Sequence, residues 1–166
     1  MMRLIRWLLA IALLIQAVAV LADAKDDARR ALELKGYAFT EERFFYAISA
    51  RQSEIVELFL RAGMNVHAKD PDIRTGGWFP IHLAADIGDY QIVKLLVQYG
   101  ADVNAKAPER RGFVTPLYQA LAKGHREMAK FLLDRGADIH VRTHSDFTPL
   151  HVAAGNGLVE FVQIFL

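Results

Sequence analysis

The feature that most constrains the fold of this 166-residue chain is an internal repeat of one seven-residue pattern. The copies read ERFFYAI (42–48), FPIHLAA (79–85), TPLYQAL (115–121) and TPLHVAA (148–154). They start 37, 36 and 33 residues apart, a spacing typical of stacked supersecondary units. A single unit of this kind cannot bury both of its flanks, so a stable core needs about three or more units packed in a row. The sequence therefore predicts an elongated stack of repeats.

Each repeat carries the signals of two short helices joined by a tight turn. Thr115 and Thr148 suit a helix N-cap, and the proline after each suits the first helical position. Gly88, Gly124 and Gly157 follow the first helix, where glycine permits the left-handed backbone that reverses the chain. The second helix has an apolar face, as in residues 92–96. The segments GMNVH (63–67), GADVN (100–104) and GADIH (136–140) then end the repeats.

In these motifs the chain resembles the ankyrin repeat family from about residue 41 to residue 166. The resemblance implies an all-α solenoid of stacked helix-turn-helix units with hairpin loops. The expected repeats are about 41–70, 78–107, 114–143 and 147–166, with the last incomplete. Residues 23–40 are predicted to form an N-terminal capping helix and a linker. The extra residues of the longer intervals are assigned to loops at 70–78 and 107–114.

The first 22 residues have the pattern of an export signal. Arg3 and Arg6 precede an apolar run of 15 residues, from 7 to 21, that only Gln16 interrupts. The run has the length of a signal-peptide core and is shorter than the roughly 20 residues that span a bilayer. Small residues predict a cleavage site after Ala22, with a site after Ala24 as the second candidate, and an uncleaved membrane anchor is the alternative. The expected location is a bacterial periplasm, with secretion or an inner-membrane anchor as alternatives.

Composition and motifs argue against several classes of function. The chain has no Cys, no Gly-x-Ser-x-Gly elbow and no phosphate-binding glycine loop, so no enzyme and no cofactor is predicted. Five of the six histidines fit repeat positions, with His144 as the exception, and no metal-ligand motif occurs, so no metal is predicted. Without Arg3 and Arg6, the basic and acidic residues nearly balance, which argues against nucleic acid as the partner.

The resemblance implies that hairpin tips and the exposed face of the first helices bind a protein partner. The tip positions are Trp78, Val114 and Phe147, which either contact a partner or pack down on their own hairpins. The variable positions on the first helices are Asp86, Ile87, Ala122, Lys123, Gly155 and Asn156. These two sets form the expected binding surface.

A row of cations is the second feature of that surface. Lys69, Lys106 and Arg142 occupy the same position in three repeats. The row predicts an acidic stretch on the partner, although solvated loop cations are the alternative interpretation. The longer loops, 70–78 and 107–114, carry mixed charge and are expected to frame the site.

The predicted function is therefore an exported protein–protein interaction module that binds a partner through hairpin tips and the concave helix face. The alternative is a membrane-tethered structural scaffold or accessory subunit of an envelope complex. In that alternative the chain contacts the membrane only through an uncleaved N-terminal segment.

Overall fold

The computed structural model describes residues 2–72, 77–108, 112–143 and 145–166, and these residues form nine α-helices and no strand. The helices are α1 (Met2–Leu34), α2 (Glu41–Ser49), α3 (Ser53–Arg61), α4 (Pro80–Ile87), α5 (Tyr90–Gln98), α6 (Pro116–Ala122), α7 (Arg126–Asp134), α8 (Pro149–Gly155) and α9 (Val159–Phe165). Helices α2 to α9 form four consecutive pairs, each joined by a short turn. The prediction of an all-α class with four helix pairs is confirmed.

The pairs stack in chain order. The first helices contact one another in the series α2, α4, α6 and α8, while α3 contacts α5 and α5 contacts α7. Helix α1 packs against α3 at the start of the stack. The shared core contains the fully buried side chains of Phe44, Phe59, Ile92, Leu117, Leu132 and Phe161, among others. Each pair therefore packs against its neighbours, which is the arrangement of a solenoid.

Polar caps begin the first helices of the repeats. Thr115 Oγ1 accepts a hydrogen bond from the backbone N–H three residues later at 3.3 Å, and Thr148 forms a capping box with His151. Proline occupies the first turn of α4, α6 and α8. These features confirm the predicted helix starts. In the degenerate first repeat, Thr40 caps α2 at 3.3 Å, a role that the sequence analysis missed.

The turn after each first helix requires a positive φ angle. Gly88, Gly124 and Gly157 have φ angles of 73°, 75° and 64°, as predicted from glycine. Arg51 occupies the equivalent turn of the first repeat, with φ at 57°. Its guanidinium donates a hydrogen bond to the backbone carbonyl of Ile87 in the next repeat. The side chain thus makes a contact between repeats that glycine could not make.

Helix α1 is longer than the predicted N-terminal cap, because it continues without interruption from Met2 to Leu34. Its C-terminal part closes the stack through Ala28 and Leu32, which are buried. Leu34, the last residue of the helix, is apolar but 89% exposed. The side chains of residues 10–27 are also exposed. Within the described ranges, no helix has an apolar stretch long enough to cross a membrane.

Candidate protein-binding surface

Three hairpins place the predicted tip residues directly before the first helices α4, α6 and α8. One backbone hydrogen bond closes each hairpin at 2.8 to 2.9 Å, and the tip residue supplies the carbonyl acceptor. The donor and acceptor pairs are Asp70 with Trp78, Ala107 with Val114, and Thr143 with Phe147. The three tip residues, which share one position in the repeat, thus also share one position in the fold.

The three tip residues differ in how much of each side chain reaches solvent. Trp78 is half-buried, and its ring lies against the imidazole of His82, with 6.3 Å between the ring centroids. Phe147 contacts His151 edge-on at 5.5 Å and is nevertheless 49% exposed. Val114 is half-buried. Both rings therefore pack on the histidine of the following first helix, and Phe147 keeps the larger exposed fraction of the two.

Val114 and Phe147 meet in one groove, which we name the tip groove. It lies between the third and fourth repeats and has a volume of about 320 Å³. Its lining residues are Gly112, Val114, Tyr118, Thr143, Ser145 and Phe147. Aromatic and aliphatic side chains in a polar rim are typical of a protein-binding hot spot. Trp78 does not line this groove.

The predicted first-helix residues contact neighbouring repeats. Asp86 accepts hydrogen bonds from Lys123 Nζ at 3.1 Å and from Gln119 Nε2 at 2.5 Å. Asn156 Nδ2 donates to the carbonyl of Leu121 at 3.1 Å. Both contacts join a residue of one repeat to the next repeat. These side chains consequently help to hold the stack together, whatever contribution they make to partner binding.

One member of the predicted cation row, Arg142, forms an ion pair with an aspartate of its own hairpin. Arg142 Nη1 lies 2.6 Å from Asp146 Oδ2, so its charge is paired within its own hairpin. Lys69 and Lys106 are exposed, and neither forms an ion pair with any residue that the structure describes. The structure therefore leaves two cations of the row available.

Part of the loop prediction concerns residues outside the described ranges. These are Arg74, Glu109, Arg110 and Arg111 of the two longer loops, together with His144. The described parts of the loops begin and end at the hairpin-closing pairs given above. The expectation that the loops frame the binding site remains a prediction.

His82 is a buried polar residue whose structural role the sequence analysis missed. Its Nε2 lies 3.0 Å from the Ala105 carbonyl and 3.1 Å from the Val114 carbonyl, so this one ring contacts the loops before and after the second longer hairpin. Because both partners are acceptors, Nε2 carries the proton. Burial lowers the pKa of His82 from 6.5 to about 4. The imidazole is therefore a neutral structural donor that supports the tip at Val114.

The two histidines of the shared repeat position differ in burial and in partners: His82 is buried and bonds carbonyls of the next hairpin, whereas His151 bonds its own N-cap. His151 is exposed and its Nδ1 accepts from the backbone N–H of Thr148 at 3.2 Å. At the equivalent cap before His82 the residue is Phe79, which has no hydroxyl group, and its ring packs 5.7 Å from the imidazole. Phe79 in place of Thr was the sequence signal that His82 lacks a hydroxyl partner at its own cap.

The described residues include no group of three His, Cys, Asp or Glu side chains arranged to hold a metal ion.

The repeat signal itself is confirmed by comparison with known proteins. A family profile described as ankyrin repeats (3 copies) matches residues 13–107, 44–143 and 109–166.

Curated relatives share the repeat region of this chain. A Saccharomyces cerevisiae protein named a probable 26S proteasome regulatory subunit is 29% identical over 120 residues, which cover 72% of this chain and 51% of the relative. An ankyrin repeat-containing protein of Treponema pallidum is 34% identical over 128 residues, or 77% and 41% of the two chains. Alpha-latrocrustotoxin of Latrodectus tredecimguttatus is 32% identical over 108 residues, or 64% and 7%. The matches thus span about half of these relatives or less.

Proposed function

Because the chain belongs to the ankyrin repeat family, whose repeats are generally protein–protein interaction modules, we propose that it is an exported module that binds one partner protein. The proposed binding surface consists of the hairpin tips and the concave first-helix face. The chain itself catalyses no reaction in this proposal. The observation that supports it most directly is the tip groove, where the half-exposed ring of Phe147 lies beside Val114 and Tyr118.

The energetics of the tip groove suit a binding site. Burying the exposed part of a phenyl ring contributes on the order of 1 kcal/mol, and an aromatic residue at the centre of an interface often contributes more. The groove lies on helices and closed hairpins that are already ordered by packing. A preorganised surface loses less conformational entropy on association than a flexible one. Its contacts therefore convert efficiently into affinity.

We predict that Phe147→Ala weakens partner binding by roughly 10- to 30-fold, which corresponds to about 1.4–2 kcal/mol. The variant removes the exposed ring from the tip groove and leaves the hairpin-closing backbone hydrogen bond in place. The partner is first captured with the native protein and identified by mass spectrometry. The dissociation constants of the wild-type and variant proteins for that partner are then measured by titration.

Tyr99→Ala is the matched control, since Tyr99 is 40% exposed but follows α5, a second helix, rather than a tip. An equal loss of affinity in the two variants would contradict the proposed surface.

The same titration tests the acidic stretch expected on the partner. Charge reversal of Lys69 and Lys106 together should weaken binding at low salt, and unchanged affinity there would exclude the cation row from the interface.

The N-terminal segment supports export in this proposal, and it predicts a mature N-terminus at Asp23. The measurement is N-terminal sequencing of the native protein after separation of soluble and membrane fractions. A soluble protein that begins at Asp23 is the expected result. An intact Met1 in the membrane fraction would contradict it.

A membrane-tethered scaffold or accessory subunit of an envelope complex is the second candidate function. The observation that favours it is the continuity of α1, which carries exposed apolar side chains such as Leu13, Leu14 and Val18 without a break into the capped stack. The fractionation experiment separates the two candidates. Nucleic acid is not proposed as a partner of either form.

A further inference from the structure

A second groove, between the first and second repeats, combines carboxylates with an aromatic ring. We name it the α2–α4 groove. It has a volume of about 450 Å³, and its walls include Glu42, Tyr46 and Ser49 of α2, Asp70 and Asp72 of the following loop, and Leu83 of α4. It shares no lining residue with the tip groove.

Asp70 is the unusual residue of this groove. It is only 9% exposed, and its Oδ1 accepts a hydrogen bond from the Asp72 N–H at 3.0 Å. No cation among the described residues pairs with its carboxylate. A carboxylate in a groove wall, partly withdrawn from water, attracts an opposite charge more strongly than a carboxylate in bulk water does. Since the side chain lies in the wall of an open groove, a ligand can supply that charge.

Two exposed residues of α2, Glu42 and Tyr46, add a carboxylate and an aromatic ring to the groove. Glu42 is exposed and precedes Tyr46 by four residues, so both lie on one face of the helix. Tyr46 is 53% exposed, which is high for an aromatic residue next to a core. The face of an aromatic ring attracts a cation, and carboxylates attract it more strongly. The groove thus presents an acidic wall and an aromatic wall to one ligand.

The remaining walls fit the stem of a long side chain. Phe45 and Leu83 give the groove an apolar part that can cover methylene groups. A guanidinium has a flat face that stacks on an aromatic ring and a row of N–H donors that matches carboxylate oxygens. An arginine side chain combines the methylene stem, the flat face and the row of donors.

We propose that the α2–α4 groove binds an arginine side chain of the partner protein, with the guanidinium between Asp70, Glu42 and Tyr46. This inference rests on the proposed binding function and deepens it by naming a side chain that the partner presents. Lys69 of the cation row directly precedes Asp70 in the chain but does not line this groove, and the arginine inference has its own test.

The test titrates the full chain with the peptide acetyl-Gly-Arg-Gly-amide and follows backbone amide shifts by NMR. Saturable shifts centred on Tyr46 and Asp70 are the expected result. The citrulline analogue has nearly the same shape without the charge, and it should bind at least about tenfold more weakly. The double variant Glu42→Gln with Asp70→Asn should lose affinity for the arginine peptide by a similar factor. Asn at position 70 retains an oxygen for the Asp72 N–H, so the loop keeps its acceptor.

The matched control is Glu57→Gln with Asp134→Asn, which changes the net charge equally at residues of α3 and α7 that do not line the groove. Glu42→Gln alone, at an exposed residue, provides a milder variant in case the double variant is unstable.

Three outcomes would overturn the proposal. They are an absence of saturable shifts at the groove, equal binding of the citrulline peptide, and an equal loss of affinity in the control variant. A lysine peptide that binds more tightly than the arginine peptide would also overturn the assignment of a guanidinium. Because the assay contains no partner protein, its failure is distinguishable from a failure of the Phe147→Ala experiment. The tip groove could still bind a partner if the α2–α4 groove binds no arginine.

Discussion

Replacing Gly88 by alanine should destabilise the protein by roughly 2–4 kcal/mol, whereas the same replacement at Gly124 should cost only about 1 kcal/mol. The two glycines occupy equivalent turns, with φ angles of 73° and 75°, so the backbone cost is nearly the same. At Gly88, however, an added Cβ would lie 2.6 Å from Nε2 and 2.9 Å from Nδ1 of the His125 ring. At Gly124 no atom lies within 4 Å of the added Cβ. The difference between the variants therefore measures the clash with the next repeat.

Urea unfolding followed by circular dichroism gives the two free energies. A double-mutant cycle with His125→Ala identifies the clashing group, because removal of the ring should reduce the Gly88→Ala cost to about that of Gly124→Ala. Equal costs for the two single variants, or no rescue by His125→Ala, would show that the ring can move aside at little expense.

The Gly88 contact illustrates the limit of reading this fold from sequence. Gly88, Gly124 and Gly157 were predictable as turn residues because the signal is local and recurs at a fixed distance from each helix start. The ring of His125 over Gly88 was not predictable in this way. It depends on how one repeat is rotated and shifted relative to the next, and repeat spacing carries no direct information about that geometry.

The first repeat and the helix before it deviate most from the expected pattern. Thr40 caps α2 with its side chain, and Arg51, at the position of the turn glycine, adds a hydrogen bond to the next repeat. The continuous α1 differs from a separate cap because residues 10–27 include no Gly or Pro that would end a helix. The division of this segment at residue 22 into a signal and a cap remains a prediction.

For the candidate site, the place of a residue within the repeat predicted where it lies in the fold but not which side chains surround it. It placed Trp78, Val114 and Phe147 at equivalent hairpin ends, and the structure gives all three the same backbone hydrogen bond. It could not indicate that Phe147 stays 49% exposed while Trp78 is half-buried, although both rings pack against a histidine. Exposure depends on neighbouring side chains, and these differ between repeats.

The same limit applies to contacts that cross between repeats. Asp86 and Lys123 appeared as independent variable positions, although they form an ion pair across two repeats. The α2–α4 groove also combines residues from two repeats, so neither repeat shows it alone. The spacing of Glu42 and Tyr46 on one helix face was the available sequence signal, and the loop that brings Asp70 to them supplied the rest.

The remaining large effect concerns pH: lowering the pH from 6.5 to about 4 should reduce the free energy of unfolding by about 3 kcal/mol through His82 alone. Burial lowers the pKa of His82 to about 4, and this outweighs the carbonyls of Val114 and Ala105 and the charge of Asp102, which act in the opposite direction. Above pH 6.5 the ring is neutral in both the folded and unfolded chains. Between pH 6.5 and 4 only the unfolded chain binds the proton, so stability falls as the pH falls.

The check is urea unfolding at pH 7.0 and 4.5 for the wild type and for His82→Gln. Glutamine retains an N–H donor for the loop carbonyls and does not titrate, so the variant should be less stable at pH 7.0 but lose about 2.4 kcal/mol less on acidification to pH 4.5. His140→Gln, at an exposed histidine, should keep the wild-type dependence. Carboxylates contribute equally to all three proteins and cancel in the comparison. Parallel loss of stability in the wild type and His82→Gln would mean that His82 is protonated in the folded state, and its hydrogen bonds could not then depend on a neutral ring.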